Sequence, residues 1–347
     1  MAWNLEAYIE WKNKRHWYDV RPVLSYNALY NFIIGLRNSG KTYAFKVMCV
    51  DNFLKRGKQF IWLRRQVNES EEAIKGFFDA IADDKYLNSE YGEIKYFIKG
   101  NELYINDKKA GEVLALAQSQ LYKSREFKEV YNIVFDEFIS EGTRRAYLPN
   151  EADVLNGIVL TIARHKVGVR VFMLGNSVKF NNPYMTYFKI KPFTNGIRHF
   201  KKKGVLVQMY LNKYMVIKMM NSKFGALIQG TDYFDFAILN RFKDLDTKFI
   251  SKKTKNSRYM CSIKYDGLVF SFYIDKEKDL IYTVRNSVED KNYMYVISEK
   301  DHDVDYTLIK NIGRTRLLKV ANYYKIGKLR FNDPVIREQV LTTMLLF

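Results

Sequence analysis

The sequence predicts an α/β protein with a parallel sheet and helices on both faces, of the phosphate-loop nucleoside triphosphatase type. Three observations predict it. Gly35-Leu36-Arg37-Asn38-Ser39-Gly40-Lys41-Thr42 reads GxxxxGKT, the spacing of a loop whose backbone N–H groups wrap phosphates. Apolar runs end in polar residues: 59–63 before Arg64-Arg65, 131–135 before Asp136-Glu137, and 170–175 before Asn176-Ser177. Helix-compatible stretches separate these runs, as in sheets whose ligands bind beyond the carboxyl ends of the strands.

The elements follow in order. An aromatic, basic leader carrying Trp3, Trp11, Trp17 and Tyr18 precedes the loop and is expected to pack onto the domain or a neighbour. Tyr30 to Ile34 reads as a buried strand entering the loop, and Tyr43 to Met48 as the helix leaving it. Gln59 to Leu63 is a second strand, and Ser70 to Asp83 an amphipathic helix opening with acids. Residues 94–97 and 102–105 suggest a hairpin turning at Gly100-Asn101, with another strand over 110–116. After residue 200 the pattern changes. Val205 to Phe242 holds a short strand-like piece and small helices. Arg258–Lys264, Leu268–Ile274 and Leu280–Arg285 form a meander, followed by a basic segment and a terminal helix.

At 347 residues the chain exceeds one ordinary core, so more than one domain is expected. Composition is that of a folded protein, 47% hydrophobic and 16% aromatic. No apolar run is long enough to span a bilayer, and residues 1–6 lack a secretion pattern. Cys49 and Cys261 sit apart in apolar surroundings, which suits reduced core thiols in a cytosolic protein. The four histidines and two cysteines show no zinc spacing.

The net charge of +19 implies a polyanionic partner, nucleic acid above all. Basic residues crowd the stretch from Lys310 to Arg337, among them Arg314, Arg316, Lys319, Lys328 and Arg330, with Tyr323, Tyr324 and Phe331 interleaved. These five are the candidate DNA-binding set. A smaller run covers Arg198 to Lys203.

The octad assigns Gly35, Arg37, Asn38, Ser39, Gly40, Lys41 and Thr42 to ATP or GTP. Lys41 places a charge on the β- and γ-phosphates, and the Thr42 hydroxyl is a Mg²⁺ ligand. Asp136 suits the metal, through water, and Glu137 suits a general base for the attacking water. Asn176 can bond the water or γ-phosphate, or can simply form the turn before Asn181-Asn182-Pro183. Hydrolysis also needs a cation on the transition state, from a neighbour if not from this chain. Arg164, Lys166, Arg170, Lys123 and Arg125 are candidates by location.

The ordered set resembles the DNA-packaging ATPases of small tailed Bacillus phages of the phi-twenty-nine group. The resemblance rests on 31–35 leading into the loop, 60–65 on the second strand, 133–138 followed by Pro149-Asn150-Glu151, Asn176 with Asn182-Pro183-Tyr184, 230–233, and 329–332. It covers nearly the whole chain. It implies an ATPase domain of the additional-strand, conserved-Glu type over 1–200, a helical linker over 201–250, and a vestigial RNase H-like domain over 251–347 that binds DNA or portal. It also implies a homo-oligomeric ring, pentameric in the family, driving double-stranded DNA through a portal into a capsid in the host cytoplasm. Some members use a packaging RNA. By the same resemblance Arg164 is a trans-acting finger and Lys123 a second trans-acting cation. The family's dense arginine run is here Arg164-His165-Lys166. Asp266, Asp275, Glu277 and Asp279 fall mainly in turns, which agrees with a lost nuclease.

Two further function classes compete: a helicase-like or recombination NTPase acting on single strands, and a nucleotide-gated scaffold with little turnover. Duplex against single-strand stimulation separates the first, and the Asp136-Glu137 pair argues against the second. No arginine-rich lid of a nucleoside kinase is evident.

Overall fold

The computed structural model describes the chain except residues 1–16, 141–146, 165, 177–179, 181, 191–192, 194–195, 232–233, 235–248, 266, 286–289, 310, 312, 314 and 345–347. Trp3, Trp11, His165, Ser177, Asp266 and Arg314 therefore lie outside the described residues. The chain forms two compact units, Met1–Lys243 and Asp244–Phe347.

The first unit is laid out in this order: β1 (Tyr30–Gly35), α1 (Lys41–Arg56), β2 (Gln59–Arg64), α2 (Val67–Lys75), α3 (Lys85–Tyr91), β3 (Tyr96–Lys99), β4 (Glu102–Ile105), β5 (Lys108–Ala115), β6 (Val130–Asp136), α4 (Glu151–Ala163), β7 (Arg170–Asn176), α5 (Pro183–Tyr187), β8 (Gly196–Phe200), β9 (Val205–Tyr210), α6 (Lys213–Met220) and α7 (Lys223–Ile228). Its 9-stranded sheet has the order β3-β4-β5-β2-β6-β7-β1-β9-β8. The run from β5 to β9 is parallel throughout, and antiparallel strands close both edges. β7 lies between β6 and the loop strand β1, the additional strand of that NTPase type.

Both faces of the sheet are buried, which is why its strands read as continuous apolar runs rather than alternating ones. α1 lays Phe45, Met48, Cys49 and Phe53 on one face, against Ile33, Trp62 and Phe172. On the other, Phe32, Phe135, Phe138 and Tyr184 pack ring against ring.

Two expectations need correction. The helix expected over 70–83 spans 67–75 instead. A capping box of Gln66 and Glu69 starts it early, with Glu69 accepting from the Arg65 and Gln66 N–H groups. Gly76 ends it, and Phe77, Phe78 and Ile81 turn into the core. The sheet also runs past residue 200. β9 pairs in register with β1, from Tyr30↔Val205 to Gly35↔Tyr210, and buries Val205, Leu206, Val207 and Met209.

The second unit contains β10 (Arg258–Tyr265), β11 (Leu268–Asp275), β12 (Leu280–Arg285), β13 (Met294–Val296), β14 (Thr307–Leu308), α8 (Leu317–Lys325), β15 (Leu329–Phe331) and α9 (Pro334–Met344). The expected meander is the antiparallel part of a 6-stranded sheet, β14-β13-β10-β11-β12-β15. β13 and β14 continue it in parallel beyond β10, and this order and sense are those of an RNase H-type sheet. Phe270, Phe272, Leu317, Val320 and Phe331 belong to its core. Cys49 and Cys261 are both buried free thiols.

The end of the leader is docked on the first unit. The Tyr18 N–H donates to the Ser39 carbonyl at 3.0 Å. Its buried hydroxyl donates to Gln208 Oε1 at 2.6 Å, and its ring meets Tyr210 edge-on at 4.9 Å. Tyr18→Ala should therefore destabilise the chain by about 3–5 kcal/mol. Tyr18→Phe, which loses only the bond to Gln208, should cost about 1–3 kcal/mol. Denaturant midpoints of the two variants check this, and equal midpoints would contradict it.

Candidate nucleotide site

The site forms where the parallel strands end. In-register pairing sets Gly35 beside Asn176, and Asp136 beside Leu174. The loop from Gly35 to Lys41 turns through two left-handed residues, Asn38 at φ 56° and Gly40 at φ 83°. Alternation of this kind points successive N–H groups into one concavity, an anion nest. Gly40 suits its conformation, and a Cβ there would also strike the Trp17 ring at 2.8 Å. Gly35 is held to glycine by packing, since a Cβ would lie 2.5 Å from the Tyr210 carbonyl of β9.

Lys41 opens α1 and is buried. Its ammonium donates to the Leu36 carbonyl at 2.5 Å and the Gly35 carbonyl at 3.2 Å, and lies 3.5 Å from Asn176 Oδ1. Burial pushes its pKa down to about 8, with Asp136 opposing the shift and Arg37 adding to it. The Thr42 hydroxyl donates to Asp136 Oδ1 at 3.3 Å. Burial pushes the Asp136 carboxyl up, against the pull of Arg64. A hydroxyl beside a carboxylate is the hard-oxygen donor chemistry that suits Mg²⁺, and a cation would offset the desolvation of Asp136. Thr42 and Asp136 thus fit the metal.

Glu137 follows at φ 58°, left-handed, with its side chain largely exposed. Arg64, at the end of β2, donates to Glu137 Oε2 at 2.6 Å and stands 3.5 Å from Asp136 Oδ2. The next residue, Arg65, turns inward to Glu151. Sequence reasoning gave neither arginine a role. The signal was there: a strand of the sheet ending in two guanidinium groups at the edge where the site must lie.

Of the candidate cations, Arg125 is committed to Glu112 through both carboxylate oxygens, at 2.6 and 2.7 Å. The Lys166 ammonium is spent on the Phe127 and Val130 carbonyls. Arg170 is half-buried, and burial lowers its pKa. Lys123 and Arg164 are exposed. They directly follow the 116–122 turn and α4, two elements that pack together.

In the second unit the basic set is partly tied down. Arg316 donates to the Met260 carbonyl at 2.9 Å and stacks on Tyr293. Arg330 donates to the Gly327 and Leu329 carbonyls. Lys328 pairs with Asp279, and Lys319 is exposed. Asp275 is a turn cap, accepting from Thr254 at 2.5 Å and from two backbone N–H groups. Among the described residues no group of three or more His, Cys, Asp or Glu is arranged to hold a metal. Among them, too, no helix is long and apolar enough to cross a membrane.

Sheet order and loop geometry define a phosphate-loop NTPase-type protein with an added strand beside the loop strand. The chain belongs to the podovirus DNA encapsidation protein (Gp16) family, whose model matches residues 12–344. It is 32% identical to the DNA packaging protein of Bacillus phage phi29 over 326 residues, covering 94% of this chain and 96% of that protein. It is 32% identical to the DNA packaging protein of Bacillus phage B103, over 91% of this chain and 96% of the relative. Among solved structures, it is similar to the bacteriophage phi29 viral genome packaging motor assembly, at TM-score 0.76 and 30% identity, covering 96% of this chain and 99% of that one. The N-terminal domain of the phi29 DNA packaging ATPase matches at 33% identity and TM-score 0.51, over 57% of this chain and 97% of that domain.

The lowered pKa of Lys41 has a testable sign. Below about pH 8 the Lys41 ammonium is charged, and an anion gains its full attraction. Above that pH, binding must first recharge the amine, so affinity falls and protons are taken up. Binding of metal-free ADP should be flat below pH 8 and weaken by up to about tenfold per pH unit above it. Calorimetry in buffers of different ionisation heat reads the uptake. A flat profile up to pH 9.5 would contradict it.

Proposed function

We propose that the chain is the ATPase of a ring motor that drives double-stranded viral DNA through a portal into a preformed capsid. The observation that carries this reading is the convergence of Lys41, Thr42, Asp136 and Glu137 on one sheet edge. The names of the phi29 and B103 relatives, and the likeness to a genome packaging motor, supply the DNA and the portal.

Nucleotide binding exchanges ligands at Lys41. Its ammonium leaves the Gly35 and Leu36 carbonyls for the β- and γ-phosphate oxygens, while the nest N–H groups hold the chain of phosphates. Thr42 and Asp136 would hold Mg²⁺, which neutralises charge on the phosphoryl oxygens when bound. Glu137 takes the proton of water as its oxygen bonds to the γ-phosphorus and the bond to the β–γ bridging oxygen breaks. For this its carboxylate must turn from Arg64 towards the water. Asn176 stands close enough to Lys41 to report loss of the γ-phosphate.

The exposed Arg164 and Lys123 complete a neighbour's site in a homo-oligomer, taken as a pentamer from the family resemblance. In the second unit, Lys319 offers charge to DNA or portal, and the sequence adds Arg314 to that set, while Arg316, Lys328 and Arg330 first serve that unit's own packing. A structural packaging RNA is a further candidate partner by the family resemblance alone. The motor would work in the host cytoplasm at the portal vertex.

Glu137→Gln should bind ATP normally yet lose duplex-stimulated turnover by about 10²–10⁴-fold. Phosphate release measured beside nucleotide affinity checks this, and retained turnover would sink the assignment. Mixing Arg164→Ala with Glu137→Gln subunits should restore part of the activity at interfaces that pair an intact base with an intact finger. No restoration at any ratio, with mixed assemblies demonstrated, would remove Arg164 from the trans role.

A further inference from the structure

Glu137 is the residue on which the proposed hydrolysis turns, and its backbone is strained. At φ 58° a glutamate sits in the left-handed region that side chains other than glycine and asparagine rarely occupy. Such a conformation costs on the order of a kcal/mol or more and persists only where its surroundings over-determine it. The surroundings here are specific. The Arg65 guanidinium donates to the Phe138 carbonyl at 2.5 Å and reaches the Glu137 carbonyl at 3.4 Å. Its Nε–H meets both oxygens of Glu151, at 2.9 and 3.1 Å. Glu151 in turn accepts from the Tyr184 hydroxyl at 2.8 Å and the Leu148 N–H at 2.7 Å. Arg65 is 4% exposed and Glu151 fully buried, and their polar atoms are engaged with protein groups rather than turned to the phosphate loop.

A buried ion pair is weak evidence of stability, because well-packed apolar residues often serve as well. What apolar residues could not do is donate to the Glu137 and Phe138 carbonyls, the two that follow the bend at Glu137. We infer that Arg65 and Glu151 are positioning residues for Glu137: together they hold its backbone in the one conformation that presents its carboxylate at the phosphate site. Consecutive arginines at the end of β2 then grip Glu137 twice, Arg64 by the side chain and Arg65 by the backbone. Tyr184 ties the same node to the segment following β7, the strand that ends in Asn176. The inference rests on the ATPase reading above and adds the residues that aim its base.

The test is steady-state ATP turnover with duplex DNA, on the full chain, for Arg65→Lys and Glu151→Gln. A lysine keeps the charge but cannot fork between a carboxylate and two carbonyls. Loss of aim should lower kcat by about 10–100-fold while KM and the affinity for ADP stay unchanged, since the phosphate loop is untouched. A purely structural pair would instead lower the melting temperature and leave kcat per folded molecule as in the wild type, which overturns the inference. Should both variants fail to fold, Tyr184→Phe keeps both charges and removes one bond. A several-fold lower kcat at constant KM then supports the inference, and an unchanged kcat overturns it. Wild-type chain is the control. No turnover there defeats the ATPase reading and this inference with it, whereas normal wild-type turnover with unaltered variants defeats this inference alone.

Discussion

The parallel, in-register pairing of β6, β7 and β1 is the constraint on which the candidate site depends. Parallel strands that start at one edge must end at the other, so Asp136, Asn176 and Gly35 arrive together although far apart in sequence. The spacing between them is the strand spacing of a sheet, about 4.8 Å per step. That rigidity suits a site whose chemistry requires little but positioning and charge. The helices on both faces hold the sheet through aromatic and aliphatic contacts, and Phe138 and Tyr184 carry that packing up to the polar edge.

Lys41 and Arg64 at the site both have partners within the protein. Lys41 rests on loop carbonyls, and Arg64 rests on the two carboxylates it neighbours. These contacts stand in for the charges that a nucleotide and its metal would bring. On the proposed ATPase reading, binding would be an exchange of partners, its free energy the difference between two well-satisfied states. Buried charge is tolerated at the edge because each group has an internal substitute.

Much of this was legible in the sequence. The octad, the acid pair and the apolar runs placed β1, β2, β6 and β7 within a residue or so, because strands buried on both faces are written as unbroken apolar stretches. The hairpin turn at Gly100 was equally plain. What could not be read depended on partners distant in sequence. Arg65 meets Glu151 across 86 positions, and no local pattern announces such a pair. β9 looked like a stray strand because nothing in 205–210 reveals that its register partner is β1. The helix after β2 was misplaced because its start is set by a side-chain cap at Gln66 and Glu69 rather than by periodicity. The basic segment near the end reads as one charged face, yet Arg316 and Arg330 turn their donors onto backbone carbonyls of their own unit.

The first glycine of the octad carries a wider lesson. Gly35 is fixed by the carbonyl of Tyr210 on the adjoining strand, at a distance no side chain could share. At least one letter of the signature is thus spelled by architecture, whatever ligand the loop serves. A descendant that stopped using nucleotide would be free to lose Lys41 and Thr42, yet would keep Gly35 for as long as β9 stayed in place. The eight letters therefore record two histories, and only some of them testify to a ligand.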